Sequence, residues 1–263
     1  HPGLPDPLWS RGLGDVYKRQ ATNIMPLPKV TAPTYELVLP SSGRKCRYRP
    51  FLVKEEKLLI IAMESEDTKQ ITTAVQQVLK NCILTRGIKV EKLATFDIEY
   101  LFLNIRGKSV GEEVEVMITC PDDEETEVPV VINLDDIKVV TDDSHTPTIK
   151  VDENLSVKMK YPSMDEFIKN NFDLGEEMDI DQTFELIASC VEQVYNEEES
   201  WNASDCTKKE LVDFIDQLGT KQFKEVENFF ATMPKLSHTL KVTNPKTKVE
   251  NDIVLEGLQS FFG

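Results

Sequence analysis

Between residues 71 and 83 the apolar side chains Ile71, Ala74, Val75, Val78, Leu79, Cys82 and Ile83 recur three and four positions apart. That spacing lines them along one face of an α-helix. A helix with a single apolar face cannot stand alone, so the sequence around it must supply the surface that covers it. Tyr35 to Leu39 reads as a short strand. The turn cluster Pro40-Ser41-Ser42-Gly43 follows, and then Arg44 to Arg49 with alternating character, which together predict a β-hairpin. Pro50 is placed to open a helix running through the apolar stretch to Met63, since proline is tolerated in a first turn. Thr95 to Ile105 reads as a third helix, although its aromatic and β-branched content would also suit a strand. Hairpins packed on amphipathic helices predict an α+β fold.

Charge divides the chain more sharply than hydropathy does. Residues 29–108 carry 14 basic and 9 acidic residues, a net of +5, whereas residues 109–147 carry 12 acidic and one basic, a net of −11. The whole chain has a formal charge of −16, a poor basis for general binding to DNA, RNA or anionic lipid. No nucleic acid or membrane partner is therefore expected. The longest aliphatic run, Leu58 to Met63, is far short of the roughly 20 residues of a membrane helix. Five scattered cysteines (Cys46, Cys82, Cys120, Cys190 and Cys206) show no C-x-x-C spacing. They read as reduced thiols of a cytosol-like compartment.

The segments sort into four. Residues 1–20 begin with His and lack apolar periodicity; GLGDVYKRQ over 12–20 resembles sequencing-adapter read-through, so this stretch is expected to be a non-native extension. Residues 21–108 hold the first hairpin and helices. Residues 109–147 form an acidic hairpin and linker, with strands at Val114 to Thr119 and Val128 to Asn133. Residues 148–263 read as a mainly helical lobe. Capping boxes begin at Ser163 and Thr207, one apolar stripe runs Phe184, Ile187, Ala188, Val191 and Tyr195, and a terminal β-hairpin and short helical tail close the chain. Two lobes around an acidic hairpin and linker result. Ile118-Thr119-Cys120-Pro121 is also echoed by Val242-Thr243-Asn244-Pro245, a similarity that hairpins reach by convergence as well as by duplication.

No catalytic constellation emerges. His145 and His238 have no Cys, Ser or carboxylate at a triad or metal spacing, and read as solvated or capping residues. Cys120-Pro121 resembles the first knuckle of a zinc ribbon, but Asp122, Asp123 and Glu124 stand where the second thiolate belongs, so a tight hairpin without metal is expected. Asp122 to Glu127 lacks the spacing of a calcium loop and reads as a solvated hairpin tip. The expectation is a non-enzyme without cofactor or metal. The dense basic patch Arg44, Lys45, Arg47, Tyr48 and Arg49 is the candidate partner interface, and Asp122, Asp123, Glu124 and Glu125 form its acidic counterpart. A neighbouring copy could bring the two together as a homo-oligomer; a solvated, soluble hairpin edge is the competing reading.

Three stretches carry a resemblance: Pro28 to Ser65, with YELVLPSSGRKCRYRPFLVKEEK at its centre; Phe96 to Glu113; and Phe229 to Leu236 together with Gly257 to Phe262. They resemble the baseplate protein family of T-even-like contractile-tailed phages, over about residues 24–263 and weakly across the acidic middle. The resemblance implies a structural or assembly role at the baseplate hub, with other baseplate and hub proteins as partners. The site implied is the tail baseplate of a virion assembled in the bacterial host cytoplasm. The alternative is an acidic tail-assembly chaperone absent from the finished particle. The family supplies no catalytic residues to carry over.

Overall fold

The computed structural model describes residues 31–65, 67–164 and 180–257. The predicted extension at 1–20, the run of the helix opened at Ser163 and the terminal helical tail lie outside the described residues, apart from Ser163, Met164 and Gly257.

Strands β1 (Tyr35–Val38) and β2 (Lys45–Tyr48) form the first antiparallel hairpin, with Leu37 opposite Cys46 and both buried. Helix α1 (Val53–Glu64) begins three residues later than Pro50, because Leu52 is its N-cap and the Glu55 carboxylate reaches back to accept the Leu52 N–H at 2.9 Å. Helix α2 (Thr68–Cys82) carries the stripe that defines it in sequence, capped by the Asp67 carboxylate. Helix α3 (Thr95–Val110) resolves the ambiguity of the aromatic segment in favour of helix.

Helix α3 is buried nearly all round. Ile98, Leu101, Phe102 and Ile105 join Leu37, Cys46, Tyr48, Val78 and Leu79 in the first core, while Leu103 enters a second with Val116, Ile132 and Leu236. A helix used by two cores has no polar face to offer, so its amphipathic signal vanishes and its composition drifts toward that of a buried strand.

That second core is a pair of hairpins. Strands β3 (Glu113–Thr119) and β4 (Glu127–Asn133) form one; β5 (Lys138–Val140) follows and pairs with the terminal hairpin. In the third region, β6 (Thr148–Lys150), β7 (Ser156–Met159), helix α4 (Ile180–Ser189), β8 (Val191–Tyr195) and β9 (Ser200–Asn202) come next, and β6-β7-β8-β9 is a four-stranded antiparallel sheet. Helices α5 (Lys208–Asp216) and α6 (Thr220–Thr232) pack on it, burying Ile215, Val226 and Phe229 with Ile187 and Val157. Strands β10 (Lys235–Thr243) and β11 (Glu250–Glu256) end the described chain and complete the sheet β11-β10-β5.

The fold is α+β, as the periodicities predict, but the third region is less helical than its stripes imply. The stripe through Val191 and Tyr195 is broken. Helix α4 ends at Ser189, and the next five residues pair with β7, Val194 opposite Val157 and Val191 opposite Met159. Two valines and a tyrosine within five residues favour a strand once a partner edge is available.

Candidate interaction surfaces

The pleat of β2 sorts the basic patch. Lys45 and Arg47 point outward with Arg44 beside them, whereas Cys46 and Tyr48 point into the first core. Tyr48 is 2 % exposed and stacks on Tyr35 at 5.8 Å between ring centroids. Burial pushes its phenol up to about 12, so it acts as a core aromatic and offers no stacking platform to a nucleobase. Lys45 meets Glu36 across the hairpin at 3.1 Å. The second edge of β2 is held by the 82–85 segment: Arg49 N donates to Cys82 O at 3.0 Å, Leu84 N to Arg47 O at 2.8 Å, and Arg47 N to the Thr85 hydroxyl at 2.7 Å.

Arg49 turns inward. Its Nη2 lies 3.0 Å from Glu55 Oε1 and its Nη1 donates to Pro50 O at 2.8 Å. The Glu55 side chain is 1 % exposed. Burial raises the cost of its charge, but hydrogen bonds from Arg49 and from the Leu52 N–H, with the Arg49 charge, outweigh that and hold the carboxyl below its ordinary range. This pair fixes the start of α1 and the exit of the hairpin together. The outward-facing cations are thus Arg44, Lys45 and Arg47.

The acidic tip is sorted in the same way. Asp122 accepts from Asn244 Nδ2 at 3.0 and 3.1 Å, from Asn251 Nδ2 at 2.9 Å and from the Thr247 hydroxyl, so it clasps the turn of the terminal hairpin. Those bonds, Thr247 and Asn244 foremost, hold its carboxyl below the usual aspartate range. Asp123 closes its own turn, accepting from Thr126 N at 3.0 Å and the Thr126 hydroxyl at 2.6 Å, and titrates well below the usual range for that reason. Lys246 reaches Glu125 at 3.2 Å and Asp123 at 3.7 Å. Glu124 stays exposed at the tip.

The echoed sequences share a turn. Glu124 N donates to Cys120 O and Lys248 N to Asn244 O, each at 2.9 Å, and Glu124 and Lys248 both take a positive φ, 55° and 66°. The two hairpins stack their inner faces in one core, Val116, Ile118 and Ile132 against Leu240, Ile253 and Leu255. Asn244 and Asn251, buried behind the clasp, were not candidates by sequence; the Cys-Pro and Asn-Pro echo was the available signal.

His145 is not a solvated linker residue. Its ring stacks on Tyr161 (5.6 Å) and lies tilted on Phe229 (5.1 Å), with Nδ1 2.9 Å from the Thr232 hydroxyl and Nε2 3.1 Å from the Tyr161 hydroxyl. Burial lowers its pKa against an opposing pull from Asp142. Asp97, fully buried in the first turn of α3, accepts from the Ser41 N–H at 3.0 Å and from the Ser41 hydroxyl, which ties the β1–β2 turn to the helix; burial raises its pKa in spite of those bonds. Each of these side chains anchors a loop to a core.

Among the described residues no group of three or more His, Cys, Asp or Glu side chains is gathered as a metal ion would require, and no helix is long and apolar enough to cross a membrane. What the surface presents is charge sorted onto hairpin faces. No curated protein and no solved structure matches the chain. The model of the family described as T4 bacteriophage base plate protein matches residues 32–263. That match spans all the described elements, and the chain belongs to the T4 bacteriophage base plate protein family.

Proposed function

We propose that this baseplate protein serves at the baseplate hub of a contractile-tailed phage, as a structural or assembly component that docks on other hub proteins. The observation that carries the reading is the sorting of the basic patch. Arg47 stands exposed on the outer face of the hairpin and Arg44 stands exposed just before β2, neither with an ion-pair partner among the described residues, while Tyr48 and Arg49 are spent on the fold. Oppositely charged patches steer encounter and fix register, which an ordered assembly needs. The proposal assigns no catalytic step, and assembly would take place in the host cytoplasm before the part joins the tail.

Mass spectrometry of purified virions tests it against the chaperone alternative. A component is expected in finished particles at a fixed ratio to other baseplate proteins; absence from them, with tails failing to assemble when the protein is missing, would establish the chaperone instead. Capture of hub proteins from infected cells by the wild type, compared with an Arg44→Glu/Arg47→Glu variant, tests the docking face. Equal capture in low salt would remove it.

A further inference from the structure

The outward face of the β3–β4 hairpin is acidic with an apolar centre. Met117 and Val131 are 60 % and 61 % exposed, and the register pairs Met117 with Pro129 and Glu115 with Val131, which sets the two apolar side chains diagonally adjacent on one face. Glu113, Glu115 and Glu127 flank them, all exposed. The lysines on neighbouring segments are engaged elsewhere: Lys108 with Glu112 and Asp135, Lys246 with Asp123 and Glu125. Among the described residues no cation pairs with this face. An uncompensated carboxylate rim around exposed apolar side chains marks a surface for a basic partner.

The same chain carries a face of complementary character. On the outside of the β1–β2 hairpin, Val38 is 50 % exposed between Lys45 and Glu36, which pair with each other, and Arg47 lies opposite Glu36, with Arg44 exposed just before β2. Apolar centre faces apolar centre, and the Arg47 guanidinium, with Arg44 at the edge, faces carboxylates. We propose that the β3–β4 face of one copy binds the β1–β2 face of the next, so that copies of this chain associate head to tail. The inference rests on the reading above that Arg44 and Arg47 face a protein, and makes that protein a second copy. Such contacts are heterologous: they close into a ring if the rotation permits and otherwise extend as a filament. Two-stranded faces offer less than the roughly 800 Å² per partner of a standard interface, so the association is weak, concentration-dependent and salt-sensitive.

Sedimentation of the full chain over a range of concentrations is the test. At low salt the average mass should rise with concentration, and at 1 M salt, where screening acts within about 3 Å, it should return to the monomer. Arg44→Ser/Arg47→Ser and Glu113→Lys/Glu115→Lys should each weaken association at least tenfold with unchanged melting points; if the acidic-face variant fails to fold, Glu115→Gln/Glu127→Gln takes its place, and if the basic-face variant fails, Arg47→Gln does. An equimolar mixture of the basic-face and acidic-face variants should form dimers and nothing larger, because each retains one working face. Wild type that stays monomeric at high concentration and low salt, variants that associate like wild type, or a mixture that stays monomeric would each overturn the proposal. A monomeric protein that is still found in virions or still captures hub proteins would overturn this inference alone and leave the proposed function standing.

Discussion

The basic hairpin and the acidic hairpin use their charges differently, although both appear in sequence as dense single-sign patches. In the basic hairpin, the residue that turns inward, Arg49, meets a carboxylate that is itself almost wholly buried. In the acidic hairpin, the inward-turned Asp122 stays near solvent and engages neutral amides and a hydroxyl, while the buried members are Asn244 and Asn251. Breaking the contact therefore costs different amounts at the two places. At Arg49 it would leave a buried carboxylate with only an exposed lysine, Lys54, as its ion-pair partner; at the acidic tip it would loosen a polar clasp that water can partly replace.

Arg49→Ala should give the largest loss, at the lower end of about 3–5 kcal/mol by denaturant unfolding, because the buried Glu55 loses its inward partner and keeps only the exposed Lys54 at 3.3 Å and the Leu52 N–H. If the loss is under 1 kcal/mol, Lys54 and solvent suffice for Glu55, and the contrast between the hairpins fails. Asn244→Ala should cost less, about 1–3 kcal/mol, since it opens the clasp and leaves turn N–H groups of Lys246 and Thr247 without their acceptor. An effect on Asn244 equal to that on Arg49 would erase the difference in the other direction.

Acid sharpens the same contrast. The folded pKa of Glu55 lies below its unfolded value of about 4.3, so its stabilisation is fully present above that value and is lost as pH falls through the folded pKa. His145 acts at milder pH. Its pKa is lowered by burial, so the neutral ring is the folded form, and stability is present above about 6.5 and declines as pH falls from there toward the folded pKa. Melting points measured between pH 7 and 3 should show both declines. His145→Gln should abolish the upper one, and an unchanged profile would mean the stacked ring is protonated as readily as a free one. The smallest effect belongs to Arg44→Ser, expected within about 0.5 kcal/mol of wild type in stability, with its consequence appearing in association alone.

Local repeats made much of the architecture legible. The stripe at 71–83, the capping box at Thr207 and Glu210, and the turn clusters at Pro40 and Asn244 all became the elements they indicate. Helix α3 was ambiguous because burial on two sides removes the one-sided pattern that a helix shows when only one face is covered. Val191 to Tyr195 misread as helix because its partner strand, β7, lies more than thirty residues away. Of the candidate interface, the basic and acidic segments were visible as charge density, but the clasp by Asn244, Thr247 and Asn251 was not, since no short motif links positions more than 120 residues apart.

The sequence by itself determined the α+β class and most element types, because helix stripes, caps and turns are set by neighbours within a few residues. Only the tertiary structure decided which charges face outward. Arg47 and Arg49 are two residues apart and chemically alike, yet one is exposed while the other closes on Glu55. The physical reason is that β2 ends at Tyr48, so the pleat no longer governs the next side chain. Arg49 then follows the strongest local field, the carboxylate at the start of a helix whose position is fixed by the core beneath it.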